Sequence, residues 1–180
     1  MIKKLLFITS AVLTLTGVSS CSLDEVNYGE TTSDNYYTKE KEINQTLTGA
    51  YLQLRQTWNE YALDHYFIGD CTTDDALKGG SSDGDKSEIQ ELSNFIVPTT
   101  NGEVLRRWSI LYDLINRCND VVRYAPDAVG DKTLLTRYAN EAKALRGFGY
   151  YCLVTTFGGV PLVTTPMKPA DILKVPRASV

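Results

Sequence analysis

One cysteine near the start of the chain stands in a position that favours covalent lipidation. Cys21 follows two serines, which close an apolar run that comes after a pair of lysines. The run, residues 5–15, has the length of a signal-peptide core and is too short to span a bilayer, which takes about 20 apolar residues. A lipoprotein signal peptidase cleaves before such a cysteine, which then carries a diacylglycerol and acyl chains such as palmitate. We predict a signal peptide at residues 1–20 and a lipid anchor at Cys21, with an ordinary secretory peptide as the alternative.

A second group of side chains could bind a polar ligand without covalent chemistry. Residues 70–101 are rich in Asp, Ser, Thr and Gly, and a connection of this length in a compact domain is usually functional or disordered. Carboxylates and an ammonium group can hydrogen-bond hydroxyl groups, and paired glycines let a ligand approach the backbone. The candidate ligand-binding residues in this segment are Asp74, Asp75, Lys78, Asp83 and Asp85. A solvated loop without a ligand is the alternative.

Aromatic side chains offer a further kind of ligand contact, because sugar rings stack on aromatic faces through their C–H edges. The chain has eleven tyrosines and two tryptophans. Most of them, Trp108 included, fall on the apolar stripes of predicted helices, which indicates core packing. Trp58 stands at the end of a predicted helix, where packing and ligand contact are both open. We add Trp58 to the candidate ligand-binding residues.

Metal sites and catalytic sites are not indicated. Residues 83–87 resemble the start of an EF-hand loop, but Glu88 occupies the place of the required glycine and no glutamate stands at the twelfth position. His65 is the only histidine, and Cys71 alone does not complete a zinc site beside it. We find no nucleophile–base set and no phosphate-binding loop. The sequence therefore predicts no metal, no cofactor and no enzymatic activity.

Charge and cysteine content narrow the class of protein further. The chain has 18 basic and 22 acidic residues; without the two lysines of the leader the balance is 16 to 22, a net charge of −6. This balance argues against nucleic acid as a partner, which requires basic patches. With Cys21 lipidated, Cys71, Cys118 and Cys152 remain. Because their number is odd, no disulfide framework is expected.

Two amphipathic runs form the strongest structural signal. Apolar residues alternate at spacings of four and three over residues 104–122 and again over 135–156, with Pro126 and Gly130 between the runs. Two such stripes joined by a short loop predict an antiparallel helical hairpin. Weaker patterns predict helices at 39–58, near 61–68 and around 86–94. A capping box from Thr100 to Glu103 predicts the start of the first hairpin helix.

The hairpin can be given a trial register by folding the chain about Ala128. This register places Ile115 near Ala142 and Trp108 near Gly149, so that the largest side chain faces the smallest residue. It also keeps the cysteines of the two helices too far apart for a disulfide.

The remaining segments define the domain organisation. Residues 21–37 are polar and predict a lipidated tether, and residues 38–180 predict a helical domain. Residues 160–180 are punctuated by prolines and predict an extended chain. The chain ends at Val180 without a closing element, and we expect it to be an incomplete domain.

Several of these segments, in this order, resemble the N-terminal part of the SusD/RagB family of Bacteroidetes outer-membrane lipoproteins. The matching stretches are CSLDEV, EINQTLTGAYLQL, DCTTDDALKGGSSDGD, EIQELSNFIVPTT, WSILYDLINRCNDVV and YANEAKALRGFGYYCLVTTFGGVPLVTTP. The last stretch follows the family pattern EA-x-x-LRA-x-x-Y-x-x-L-x-x-x-FG-G-x-PL. Gly147 departs from it, since alanine is usual there. The resemblance covers nearly all of the chain, although family members continue for several hundred residues more.

The resemblance implies an all-α fold of tetratricopeptide-like antiparallel helical hairpins with long loops. It also implies a lipid-anchored protein on the outer face of the cell outer membrane, which captures oligo- or polysaccharides and delivers them to a partner SusC-like TonB-dependent transporter for nutrient uptake. Members of the family are not enzymes. The alternative is a RagB-type lipoprotein that captures peptides or serves only in protein interaction. In the family, the region equivalent to residues 70–85 contributes to the ligand face.

Overall fold

The computed structural model of the protein describes residues 33–59, 68–82 and 84–180, and its regular secondary structure within these ranges is helical. The helices are α1 (Ser33–Tyr36), α2 (Glu40–Asn59), α3 (Ser87–Ser93), α4 (Gly102–Tyr124), α5 (Lys132–Phe157) and α6 (Pro169–Ile172), with a 3₁₀ turn at Asp70–Thr72. The described ranges contain two isolated β-bridges and no strand. The all-α prediction is thus confirmed, as are four of the five predicted helices; the weak one near 61–68 lies almost entirely outside the described residues.

Side-chain caps begin both hairpin helices. The Asn101 side chain accepts hydrogen bonds from the backbone N–H groups of Glu103 and Val104, each at 3.1 Å. The predicted cap at Thr100 is therefore wrong by one residue, because the amide of Asn101 reaches the same donors. The Asn101 Nδ2 also donates to the Glu88 carbonyl at 2.9 Å, which ties α3 to the start of α4. At α5, the Asp131 carboxylate accepts from two backbone N–H groups of the first turn.

The core lies where α2, α4 and α5 meet. Its fully buried side chains come from all three helices and include Ile43, Leu114, Cys118, Val121, Leu135 and Ala142. A second apolar cluster lies toward the end of α5 and contains Leu111, Ile115, Cys152, Leu153 and Val160. Burial of such side chains contributes roughly 1.5–3 kcal/mol each, so that the hairpin and α2 supply most of the apolar stabilisation.

The register of the hairpin differs from the trial register. A side chain built at Gly149 would place its Cβ 3.1 Å from Ile115, and the ring of Trp108 lies against Phe157 with centroids 5.1 Å apart. Ile115 thus faces Gly149 rather than Ala142, and Trp108 faces Phe157 rather than Gly149. This is a shift of about two helical turns.

The cause of the shift lies just after α4. The N–H groups of Asp127 and Ala128 both bond the Tyr124 carbonyl at 3.2 Å, so that the chain continues in tight turns past the end of the helix. Ala128 is buried and therefore belongs to the core rather than to an exposed connection. A shift of two turns leaves the same stripe of each helix facing inward, which explains why the apolar faces were predicted although their pairing was not.

The three cysteines of the helical domain are buried thiols and form no disulfide. Burial raises the pKa of Cys118 to about 12, against the opposing effect of the nearby Arg146 cation. The prediction that Cys118 and Cys152 remain thiols is confirmed. No helix in the described ranges is both long enough and apolar enough to cross a bilayer.

The start of the described chain packs against the loop side of the hairpin. The ring of Tyr37 stacks on that of Tyr124 with centroids 4.4 Å apart, and its hydroxyl donates to Asp120 at 3.2 Å. Residues 33–37, which the sequence analysis assigned to the tether, thus include the short helix α1 and a docked tyrosine.

Candidate functional site

A group of four side chains, which we call the latch, holds the extended segment after α5 against the hairpin. The latch consists of Tyr112 and Asn119 on α4 with Arg146 and Tyr150 on α5. It belongs to the two sequence stretches that carry the strongest family resemblance.

Each latch residue bonds the backbone of the extended segment. Tyr112 donates to the Pro161 carbonyl at 2.7 Å, and Arg146 donates to the Thr164 carbonyl at 2.8 Å. Asn119 and Tyr150 both donate to the Val163 carbonyl, at 3.0 and 2.9 Å. Arg146 also donates to the Asn119 side chain at 2.8 Å, which joins the two helices.

The latch tyrosines are neutral hydrogen-bond donors. Burial raises the pKa of Tyr112 to about 12. Burial also raises the pKa of Tyr150, against the opposing effects of the Val163 N–H, which donates to its oxygen, and of the Arg146 charge. In this chain Arg146 and Tyr150 therefore hold the segment that follows α5 against the hairpin.

A groove of about 370 Å³ lies beside the latch. Its lining includes Trp108, Tyr112, Asp113, Asn116, Pro161 and Ile172. Trp108 is partly buried: it packs against the second apolar cluster, as predicted, and it also lines the groove. Asp113 is occupied by Arg117 at 3.1 Å and by the Gln53 amide. The groove therefore presents mainly apolar surface with a few polar groups at its edge.

The candidate residues Asp74, Asp75, Lys78 and Asp85 lie in a segment that we call the rim, residues 70–98, in which Cys71, Ile89 and Leu92 are buried and the other described residues are exposed or partly exposed. Asp74 and Asp75 are exposed, and Lys78 donates to the Ser82 carbonyl at 2.6 Å. Asp85 accepts from the Ser81 N–H at 3.4 Å. The structure thus brings Lys78 and Asp85 into one tight loop and places the two other carboxylates just before it.

The backbone of the rim loop accounts for one of its two adjacent glycines, Gly80. Its φ is +121°, a value that disfavours any other residue, and an added Cβ would lie 2.6 Å from the Asp85 carboxylate. The sequence analysis attributed the glycine pair to ligand access. The geometry shows that this glycine is also required by the backbone of the loop itself.

Three predicted site residues are not covered by this description. Two of them, Cys21 and Asp83, lie outside the described residues, as does His65, which was not predicted as a site residue. The backbone of Trp58 lies in the last turn of α2, but its side chain is outside the described part of the chain. Within the described ranges, no group of three metal-ligating side chains comes together.

The sequence analysis missed an apolar stretch that is exposed on the rim. Phe95, Ile96 and Val97 follow α3, and 70%, 74% and 44% of their respective surfaces are exposed. Ile96 and Val97 border a cavity of about 490 Å³ together with residues of α3 and Pro98. The sequence does carry a signal for this stretch. Three apolar residues stand directly after a helix of only seven residues, at a position where polar residues or glycine are usual.

Comparison with known proteins adds information on relationship. No protein-family model matches the chain. SusD-like protein P2 of Formosa agariphila is 25% identical over 168 residues, which cover 91% of this chain and 32% of that protein. SusD-like protein P38 of the same organism is 30% identical over 160 residues, which cover 87% of this chain and 30% of that protein.

A solved structure agrees with these relatives. A laminarin-binding SusD-like protein superposes with a TM-score of 0.69 and 31% identity, over 79% of this chain and 31% of its own. Its similarity extends the sequence match to the three-dimensional arrangement of the helices. Sequence and fold together identify this chain as a SusD-like protein, matched over about a third of the length of its relatives.

Proposed function

We propose that the protein to which this chain belongs captures glycans at the cell surface and delivers them to a SusC-like TonB-dependent transporter for uptake. The observation that carries the proposal is the structural neighbour, a laminarin-binding SusD-like protein whose fold matches at a TM-score of 0.69. Capture and transfer require binding and release only, so that the proposed role includes no catalytic step.

The rim supports this proposal by its chemistry. Asp74 and Asp75 offer exposed carboxylates, which accept hydrogen bonds from sugar hydroxyls, and Lys78 offers donors beside them. Lys78 belongs to a loop in which its ammonium bonds the Ser82 carbonyl and Asp85 bonds the Ser81 N–H, and Asp74 and Asp75 stand just before that loop. Bonds within the loop reduce the conformational freedom that it loses when a ligand binds, which favours affinity.

Binding to glycans is tested directly by isothermal titration against laminarin and a panel of soluble α- and β-glucans and xylans. A variant in which Asp74, Asp75 and Lys78 are all replaced by alanine should bind its glycan at least about tenfold more weakly, which corresponds to about 1.4 kcal/mol. The matched control replaces the exposed charges Asp127 and Lys143 on the hairpin and should bind as the wild type does. If the triple variant binds the glycan with unchanged affinity, these three charged side chains do not contribute to glycan binding.

The anchor is a separate part of the proposal. We propose that the chain is cleaved before Cys21, which is then acylated. We also propose that residues 21–37, the last five of which include α1 and the docked Tyr37, lead from the lipid to the helical domain at 38–180, and that the domain faces the cell exterior. The mass of protein extracted from membranes, with Cys21→Ala beside it, tests this part. Added acyl mass on the wild type only, together with sensitivity to external protease, is the expected result; an unmodified and soluble wild type would contradict it.

A protein-interaction role of the RagB type is the second candidate, and the exposed Phe95, Ile96 and Val97 favour it, since contiguous exposed apolar surface often marks an interface. The two roles separate in a pull-down with the partner barrel. Binding to the barrel that persists in the triple alanine variant, in the absence of any glycan binding by the wild type, would favour protein interaction alone.

A further inference from the structure

The segment at the start of α2 is bonded to the loop of the hairpin, and we call it the clasp, residues 37–42. The Thr38 carbonyl accepts from the Val129 N–H at 2.8 Å, and the Glu40 N–H donates to the Val129 carbonyl at 2.9 Å. These two bonds form the parallel bridge between Lys39 and Val129. The backbone of the clasp is thus paired with the connection between α4 and α5.

Two carboxylates of the clasp add further bonds. Glu40 accepts from the Asp131 N–H at 2.9 Å, next to the start of α5. A side chain built at Gly130 would overlap that of Glu40, so that the close approach of the two segments requires glycine there. Glu42 accepts from the N–H groups of the two residues that precede α2, each at 2.9 Å, which fixes the turn into the helix.

Tyr37 closes the clasp against α4. Its ring stacks on that of Tyr124 with centroids 4.4 Å apart and planes within 2° of parallel, and Tyr36 meets it edge-to-face with centroids 5.1 Å apart. Its hydroxyl donates to the Asp120 carboxylate at 3.2 Å. Backbone, carboxylate and ring contacts therefore hold the same short segment.

These partners of the clasp lie at one end of the hairpin. Because α4 ends at Tyr124 and α5 begins at Lys132, the clasp joins the domain at the end that carries the loop. The 26 residues of α5 span about 39 Å, so that the other end of this helix lies about that far from the clasp. A chain that comes from the lipid therefore enters the domain at the loop end.

The clasp also sets the length of chain between the lipid and the domain. Residues 22–32 separate Cys21 from α1, and a chain of this length reaches at most about 40 Å when fully extended. Without the clasp, residues 33–39 would add up to about 25 Å before the first turn of α2. The docked clasp thus shortens the maximum reach by roughly a third.

We propose that the clasp limits how far the domain rises from the membrane and keeps the loop end of the hairpin as the end nearest the lipid. This inference rests on the proposed acylation of Cys21 and deepens it, because it assigns the orientation of the anchored domain to named contacts. A shorter connection also raises the effective concentration of the domain at a partner in the same membrane. Since this concentration falls roughly as the −3/2 power of the connecting length, the clasp contributes about a twofold increase.

Energy transfer from the domain to the bilayer tests the orientation. The three cysteines of the helical domain are buried thiols, so that an added exposed cysteine can be labelled selectively. Asp127→Cys places a donor dye at the loop end, and Thr155→Cys places one near the far end of α5; both native side chains are exposed. The acylated protein is bound to phosphatidylcholine vesicles that carry an acceptor dye at the headgroup level. The label at position 127 should lie at least about 15 Å closer to the bilayer than the label at position 155.

Tyr37→Ala with Glu40→Ala tests the clasp itself. Loss of the ring and the carboxylate should release residues 33–39, so that the longest distances between the label at position 127 and the bilayer increase by about 10–25 Å. Lys41→Ala with Asn44→Ala is the matched control, because it alters exposed side chains of the same helix that take part in none of the bonds given above. The control should leave the distances unchanged. Circular dichroism checks that the helices are retained, and Tyr37→Ala alone takes the place of a double variant that does not fold.

The outcomes separate the clasp from the anchor. If mass spectrometry finds the wild type unacylated, the proposed anchor fails and the inference falls with it. If the acylated wild type shows equal distances for the two labels, or the reverse order, the orientation is overturned while the anchor stands. If the folded clasp variant keeps the distances of the wild type, the clasp does not limit the reach of the domain and the inference is overturned.

Discussion

The hairpin α4–α5 and the rim hold their polar side chains in opposite ways. Asn119 in the hairpin is almost fully buried and bonded on both sides, to the Val163 carbonyl and to Arg146. Lys78 and Asp85 in the rim are bonded to loop backbone, while the rim as a whole remains largely exposed. Buried bonded groups stabilise a fold strongly because their loss leaves unsatisfied partners, whereas exposed ones are replaced by water. The comparison teaches that stability and ligand contact are carried by different parts of this chain.

The largest expected effect is the loss of the latch amide. Asn119→Ala leaves the Val163 carbonyl without this donor and opens a small cavity between α4 and α5. We expect the free energy of unfolding to fall by about 2–4 kcal/mol, measured by urea denaturation. The control Asn116→Ala changes an exposed asparagine one turn away and should alter stability by less than about 0.5 kcal/mol. Equal effects of the two variants would mean that the latch is not a stabilising element.

The next effect concerns two glycines of α5 that differ only in their surroundings. Gly149 faces Ile115, whose side chain would lie 3.1 Å from an added Cβ, and Gly147 has no atom within 4 Å of that position. Gly149→Leu should therefore lower the free energy of unfolding by roughly 1–3 kcal/mol or more through overpacking. Gly147→Ala, which introduces the residue usual in the family pattern, should raise it by about 0.5–1 kcal/mol. Thermal denaturation of both variants checks the signs, and a shared sign would contradict the register given above.

These two glycines also show how far the sequence could predict the fold. The apolar stripes gave the helices, their inward faces and the hairpin, because a helical period is a local property. The pairing of Ile115 with Gly149 was not predicted, because it depends on turns after α4 that add length without continuing the pattern. The latch was missed for a related reason: Asn119 and its partner Val163 are 44 residues apart, and no local spacing links them.

The candidate site was predictable in part for the same physical reason. Composition located the rim, since Asp-, Ser- and Gly-rich sequence cannot form a core. It could not reveal that Phe95 lies in the left-handed region, because phenylalanine is an improbable residue there and only the backbone shows it. The helical spacing placed Trp108 on a core-facing stripe, and this placement is incomplete, because the residue packs against the second apolar cluster and also lines the groove.

A smaller effect is expected from the titration of the latch tyrosines. In the unfolded chain a tyrosine loses its proton near pH 10, whereas in the fold the pKa of Tyr112 is raised to about 12. The folded state therefore holds this proton more tightly, so that its contribution is complete below pH 10 and is lost as the pH rises from 10 to 12. Since the ring is partly exposed, we expect the free energy of unfolding to fall by an amount on the order of 1 kcal/mol over this pH range.

Urea denaturation between pH 10 and 12 tests this expectation. The free energy of unfolding should fall less steeply with pH in Tyr112→Phe than in the wild type. A slope for Tyr112→Phe equal to that of the wild type would contradict the assignment to the latch.

Substitutions in the rim are expected to change stability least and glycan affinity most. Replacing Asp74, Asp75 and Lys78 by alanine removes exposed side chains, one of which bonds a loop carbonyl. The free energy of unfolding should change by less than about 0.5 kcal/mol, while glycan affinity falls as proposed above. A loss of more than about 1 kcal/mol, measured by the same denaturation, would mean that these residues hold the fold together and that weaker glycan binding reflects unfolding. Stability and affinity must therefore be measured on the same variants, because only their separation distinguishes a ligand surface from a structural one.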